Sequence, residues 1–466
     1  LIATSSFVRR CSHHFRIHGF LCSSLLLILL LSSRTSAIAQ ATDAASADDG
    51  APTSNFPLSM HEAVRLALKQ NPRVLASRLE ALESKQQVRI ARSTFLPKAG
   101  LQLEEQMNRL NLGTLIGQET APYSIGPYSN AQVGSSFDVP VIAVSAWKGY
   151  QAEKQRASAA QSSDADLREQ VVAIIVAQYL SLQRSRATEK AVQSRIELAD
   201  SLRKLADDAL QQGTGTNTDA LRASVELKVE QQNLVEAQAQ TSAYGYGLAQ
   251  VLGLAINQQV TATEELSGDD LQQPNGQAAL KEALEGRPDL LSVEELQKAA
   301  VLDRQSSKAQ RLPEFHFGGF WAESGRSPGR GLPVYSYQGE MRFPIFTGGR
   351  ISAEIKRSEL ASQRADQVVQ DRRNVVTQEV RTSLTLLQAA RQELQLATQT
   401  VDLSTRELKE SRDRFAAGVT NNIEVVTAQN SLAQSTDSQI GAMYRLQQAT
   451  ADLSRARGRI SEDYAK

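Results

Sequence analysis

All thirteen prolines fall at or before position 140 or between 274 and 344, so two stretches, 141–273 and 345–466, contain none. Proline removes a backbone donor and clashes inside a helix, so each stretch can be helical throughout unless another breaker intervenes. That breaker is glycine in a polar turn: "QQGTGTNTD" around Gly213 and "AAGVTNNIE" around Gly418. Each stretch then reads as a helical hairpin whose first arm covers 146–212 or 351–417, about 67 residues and roughly 100 Å at 1.5 Å per residue. The second arm is little more than half as long. Val172, Ile175, Tyr179 and Leu182 in one long arm recur at coiled-coil spacing, as do Val380, Leu387, Leu394 and Val401, with Leu384 and Ala397 interleaved, in the other. An ordinary amphipathic bundle would explain the seams but not the length, because globular helices average three or four turns.

The hairpins belong to a larger repeat. Pro72 and Pro97 recur as Pro288 and Pro313, each 216 positions on; Pro140 recurs as Pro344 after 204 and Gly213 as Gly418 after 205. The change of offset places a longer insert in the first copy, between its second and third landmarks. The repeats span 57–273 and 274–460, followed by a short tail, 461–466. Helices over 72–95 and 288–311 are the natural pieces to stack end to end with the short arms.

Between the proline-bounded helix and the long arm, each repeat carries two segments of period-two alternation. Ala99, Leu101 and Leu103 alternate with Gly100, Gln102 and Glu104, and Ala131, Val133, Ser135, Phe137 and Val139 with Gln132, Gly134, Ser136 and Asp138. In the second copy Phe315, Phe317 and Trp321 alternate with Glu314, His316 and Gly318. The last strand sets Tyr335, Tyr337, Gly339, Met341 and Phe343 against Ser336, Gln338, Glu340 and Arg342. Eight of the chain's 24 aromatic residues lie between 315 and 346. Strands of about ten residues with one wet face, one apolar face and aromatic ends fit a transmembrane β-barrel, with Tyr335, Tyr337, Met341 and Phe343 toward lipid. A small amphipathic sheet packed on the helices is the alternative. Four strands cannot close a barrel, and an open edge is not tolerated in hydrocarbon, so a membrane reading requires several chains. Two would give eight strands whose side chains nearly fill the interior; an aqueous bore needs three or more.

The amino terminus has another purpose. Arg9, Arg10 and Arg16 precede the apolar run Leu25 to Leu31, and Ala37-Ile38-Ala39 supplies a small-x-small cleavage site, so 1–39 reads as a secretory signal peptide and 40–56 as a flexible leader. Both cysteines, Cys11 and Cys22, lie in the signal, and only His61 and His316 follow it. This leaves no disulfide and no His/Cys metal site to expect in the mature chain, nor a cysteine placed for lipid attachment. With Lys+Arg and Asp+Glu both at 51, no basic surface suggests a nucleic-acid partner. Gly325-Arg326-Ser327-Pro328-Gly329 matches the G-x-S-x-G pattern of hydrolases. However, Pro328 follows the serine, no helix follows, and no histidine lies downstream, so the pattern carries no catalytic site. No catalytic residue, metal ligand or cofactor motif is expected.

"LSMHEAVRLALKQNPRVLASR", "FPIFTGGR" and "RFAAGVTNNIEVVTAQNSL", in this order and within a tandem repeat over about 57–460, resemble the outer-membrane efflux proteins of the TolC type. The resemblance implies a mainly α fold with a membrane β-barrel portion. In it, a homotrimer builds a 12-stranded barrel in outer-membrane lipid and a 12-helix periplasmic α-barrel. It implies a passive exit duct working with a periplasmic adaptor (membrane fusion) protein and an inner-membrane pump of RND or ABC type. By position, Gly213 and Gly418 mark adaptor-facing turns, Phe415 the aromatic before the second turn, and Asp219 and Glu424 acidic residues at a pore constriction. Both carboxylates equally suit the simpler role of first-turn residues at a helix amino terminus. Thr420 stands where members often carry a basic residue, Thr427 stands at a further acidic position, and "VPVIAVSAWKG" lacks the Gly-Gly-Arg of the second corner. A soluble periplasmic coiled-coil scaffold or adaptor is the rival reading.

Overall fold

The computed structural model describes residues 54–111, 124–255, 257–268, 275–326, 330–420 and 422–465. The signal peptide 1–39, most of the leader 40–56, and Ser327 lie outside the described residues.

Each repeat opens with a short helix, an X-Pro break and a second helix. In the first repeat these are α1 (Met60–Gln70) and α2 (Pro72–Ser93). Ser59 and Glu62 close a capping box at the start of α1: the Ser59 N–H donates to Glu62 Oε2 at 2.9 Å and the Glu62 N–H to Ser59 Oγ at 3.3 Å. Asn71, held extended (ψ 124°) by the proline after it, ends α1 and caps α2 by accepting the Arg73 N–H at 2.8 Å. Two antiparallel strands follow, β2 (Lys98–Asn111) and β3 (Ser124–Ile142), numbered after a short strand β1 (Ser54–Leu58). The hairpin is α3 (Val144–Gln211) and α4 (Asn217–Leu252), followed by β4 (Gln258–Ala262). The second repeat gives α5 (Gly276–Gly286), α6 (Pro288–Ala309), β5 (Glu314–Gly325), β6 (Leu332–Arg342), α7 (Arg350–Ala416) and α8 (Asn422–Ala456). The tail is a docked turn of helix, α9 (Ile460–Tyr464), with Ile460 fully buried.

The long arms α3 and α7 contain 68 and 67 residues, close to the expected length. β2 and β3, at 14 and 19 residues, outrun the ten expected, because the first repeat's extra residues extend this hairpin.

One pairing was not anticipated. β1 lies parallel to β4, with Ser54 opposite Gln258 and Leu58 opposite Ala262, so a strand begins within the segment read as leader. This two-stranded sheet joins α1, α3 and α4 around the largest core, which holds Val64, Ala67, Ile175, Tyr179, Leu182, Leu248, Leu252 and Val260. Tyr179, fully buried, donates its hydroxyl to the Leu58 carbonyl at 2.9 Å. Tyr179→Phe removes this bond while the Leu58 carbonyl keeps the Thr263 N–H at 3.1 Å, and is expected to cost about 0.5–1.5 kcal/mol, read as a lower thermal midpoint.

The helices form one layer whose members change halfway. Toward the strands the neighbours run α2, α3, α6, α7; toward the hairpin turns they run α4, α3, α8, α7. The long arms persist through both levels, while short helices replace one another beside them. The strands follow the upper order: β2, β3, β5, β6 form one antiparallel sheet. Each strand thus adjoins in sequence the helix holding the same place in the layer.

Candidate channel wall and hairpin tips

Register sorts the sheet's side chains into two faces. Leu103 lies opposite Val133, Leu101 opposite Ser135 and Ala99 opposite Phe137; Ser135 then meets Trp321 and Val139 meets Phe317. Trp321 continues to Tyr335, Gly319 to Tyr337 and Phe315 to Met341. Because facing residues share a side, Leu101, Leu103, Val133, Phe137, Phe317, Trp321, Tyr335, Tyr337 and Met341 form one apolar face. Its aromatics touch: Phe137 lies 5.7 Å from Phe317 and 6.1 Å from Tyr337, and Tyr335 lies 6.0 Å from Tyr337. Gly319 makes room for this group, since a Cβ there would come within 2.6 Å of the Tyr337 ring. The opposite face carries Gln102, Glu104, Gln106, Gln132, Ser136, Asp138, His316, Ser336, Gln338, Glu340 and Arg342, with Phe320, Leu332 and Val334 as large apolar exceptions. His316 Nδ1 lies 3.6 Å from Asp138 Oδ2 there.

Both faces are exposed in the single chain, Leu101 to 82% and Met341 to 69%. The alternative of a sheet packed on the chain's own helices therefore does not hold. Among the described residues β2 and β6 end the sheet, each with one edge unpaired. Below it, Phe343, Ile345 and Phe346 at the β6–α7 corner are also exposed, Ile345 to 90%.

The two hairpin turns are near copies. After α3, Gly213 takes φ 71°, its N–H donates to the Leu210 carbonyl at 3.1 Å, and the Thr214 N–H to that of Ala209 at 3.0 Å. After α7, Gly418 takes φ 70°, its N–H donates to Phe415 at 2.9 Å, and the Val419 N–H to Arg414 at 3.0 Å. Both are Schellman motifs, whose left-handed residue favours glycine. Phe415 is half-buried and packs with Leu202, Leu408 and Val425, in a core shared by α3, α7 and α8.

Asp219 and Glu424 occupy equivalent positions in the first turns of α4 and α8. Asp219 Oδ2 accepts from the Thr216 hydroxyl at 2.6 Å, and Arg222 stands 3.5 Å from Oδ1. Glu424 accepts from the Thr420 hydroxyl and pairs with Arg414 at 3.1 Å. Arg414 thus supplies a tip cation that the motif comparison at Thr420 did not suggest. The first-turn role holds for both carboxylates. Sequence reasoning missed Asn422, fully buried, whose side-chain amide donates to the Asp219 carbonyl at 3.1 Å and ties one hairpin tip to the other. It lies in a polar turn sequence, Thr420-Asn421-Asn422, and no local pattern marks it as buried.

A family model described as "Outer membrane efflux protein" matches residues 63–254 and again 279–459. The chain belongs to the outer membrane efflux protein family. Over 181 residues it is 27% identical to the outer membrane protein OprJ of Pseudomonas aeruginosa, an alignment covering 38% of each protein. The fold is shared more widely. It superposes with a TM-score of 0.74 on VceC of Vibrio cholerae, at 17% identity over 86% of this chain and 96% of that one. With the CmeC outer membrane channel of Campylobacter jejuni the TM-score is also 0.74, at 18% identity over 87% of each chain. As a member of this family the efflux protein is a bacterial outer-membrane protein with a channel fold, and the soluble scaffold reading is not favoured.

Proposed function

We propose that three copies of this efflux protein close one duct that passively carries substrates out of the cell. The observation that carries the reading is the two-faced sheet with both ends open, standing in register over a helical layer of the same width. Three copies supply twelve strands and twelve helical places at every level. The apolar face of Tyr335, Tyr337 and Met341 then meets lipid, with Phe343 just below it at the corner, and the face of Gln338 and Glu340 meets a wet bore. Exposed Leu79, Leu221 and Val225 on the α2/α4 side and Leu386, Leu396 and Leu403 on α7 are the apolar seams available to adjoining copies.

In this duct the turns at Gly213 and Gly418, the second braced by Phe415, face a periplasmic adaptor protein, which couples the duct to an inner-membrane pump of RND or ABC type. Asp219 and Glu424, three of each, place carboxylates at the narrow end, where they favour cations. In planar bilayers the purified oligomer is expected to conduct with cation preference, and Asp219→Ala combined with Glu424→Ala to lower that preference. Unchanged selectivity would remove the constriction assignment, and recovery of most mature protein in the soluble periplasm would remove the duct.

A further inference from the structure

Between α3, α4 and α8 lies a pocket of about 200 Å³, lined wholly within one chain. One part of its wall is apolar: Ala191, Leu198, Ala199, Leu432 and Ala433. The other part carries Glu226, Glu230 and Gln429. Gln429 is only 8% exposed, yet its Oε1 has no hydrogen-bond partner among the described residues. A buried acceptor left unpaired costs free energy that an incoming donor would recover.

Charge points the same way. The pocket's cation, Arg195, donates twice to Asp437 at 3.2 and 3.1 Å, and its Nε, 3.9 Å from Glu230, has no hydrogen-bond partner among the described residues. Glu230 also accepts from the Asn233 amide at 3.2 Å. Glu226 has no ion pair or hydrogen bond among the described residues, and burial, followed by the charge of Glu230, raises its carboxyl above the ordinary value. The guanidinium thus serves Asp437 and Glu230 and leaves Glu226 without a cation of its own among the described residues. A water molecule would satisfy Gln429 but leave that excess negative charge in place. A hard metal ion would need six or more oxygens, which the alanine and leucine walls do not offer.

We propose that this pocket binds a small alkylammonium ion, its carbon chain along Leu198, Leu432 and Ala433 and its ammonium at Glu226, Glu230 and Gln429. Such a ligand has the apolar body and donor-rich charged end that the two parts of the wall match. The test is calorimetric titration of n-butylammonium chloride into the full chain, purified in detergent. Saturable binding is expected, with no binding of 1-butanol and little competition from sodium chloride at equal concentration. Glu226→Gln, which breaks no bond in the folded chain, is expected to weaken binding about tenfold or more, the loss of one charge-assisted bond. Ala433→Leu, which fills the apolar end, is expected to abolish it while circular dichroism shows the helices intact. Absence of saturable binding, equal affinity in Glu226→Gln, or full displacement by sodium would overturn the proposal.

Discussion

Tyr337→Lys is expected to keep the efflux protein out of the outer membrane, whereas Gln338→Lys, one residue along the same strand, is expected to leave insertion intact. Tyr337 sits in the aromatic group of the apolar face, with Phe137 at 6.1 Å and Tyr335 at 6.0 Å. A lysine at the lipid face of a barrel costs about 2–4 kcal/mol near the bilayer midplane. In a trimer the cost arises three times for one closure, and the paired aromatic contacts are lost as well. Gln338 stands on the other face opposite Gly318, where a lysine stays in water. There it adds a ring of positive charge, and conductance should shift toward anions. Sedimentation of membranes on a sucrose gradient separates inserted from uninserted protein, and bilayer recordings read the selectivity. Insertion of Tyr337→Lys at the parent level would mean that the face carrying Tyr335, Tyr337 and Met341 does not meet lipid.

The contrast is possible because the strands announce themselves locally. Alternation over Tyr335 to Phe343 assigns each side chain to a face without knowledge of the neighbouring strand, and register then only has to agree. The long arms are equally legible, since a proline-free stretch ending in a glycine turn has few other ways to fold, and Gly213 and Gly418 take the left-handed turn their context implies. What stays hidden in sequence is whatever depends on distant partners. β1 pairs with β4 about 200 residues away, and five residues following polar sequence carry no pattern that distinguishes them from a leader. Asn422 and Arg287 are of types that mostly face solvent, yet both are buried. The acidic residues Asp219 and Glu424 were legible as first-turn carboxylates, whereas their partners Arg222 and Arg414 were not, because an ion pair depends on side-chain reach that spacing alone does not determine.

Arg287 is the most consequential of these hidden residues, and Asp289→Ala is expected to destabilise the protein by about 1.5–3 kcal/mol, because it removes two charge-assisted bonds and leaves a buried guanidinium only partly compensated by Glu379. The Arg287 side chain is only 9% exposed; its Nη2 and Nε donate to Asp289 at 2.7 and 3.0 Å, and its Nη1 pairs with Glu379 on α7. Burial alone would raise the Asp289 carboxyl, but bonding to Arg287 and its charge, with help from the Leu290 N–H and Arg372, outweigh burial and hold it below the ordinary value. A carboxylate lowered in the folded state adds stability above its unfolded pKa, about 3.9, and loses it as pH falls through the lower folded value. The gap in thermal midpoint between parent and Asp289→Ala should therefore be full near neutral pH and narrow on acidification below about pH 4. Asp166 acts in the opposite sense: burial, then the charge of Asp289, raise its carboxyl, so removing Asp289 relieves some strain there. That relief is smaller than the loss, because Asp289 bonds Arg287 directly while it meets Asp166 only through charge.

The same residue shows how two unlike chemistries serve one structural role. Arg287 stands 216 positions after Asn71, before the corresponding proline, and its Nη1 also donates to the Ala456 carbonyl at the end of α8 at 3.3 Å. Asn71 makes the equivalent tie in the first repeat, donating to the Val251 carbonyl near the end of α4 at 2.8 Å. Each proline break is thus fastened to the far end of its own hairpin, once by a neutral amide and once by a guanidinium that then needs carboxylates around it. Arg287→Met with Asp289→Leu removes the charges together and tests which part matters. Recovery of most of the stability lost in Asp289→Ala is expected if the stranded charge is the main cost, since apolar replacements of buried pairs are often neutral. A double variant as unstable as Asp289→Ala would instead assign the energy to the bond from Arg287 to Ala456, and so to the fastening of the repeat itself.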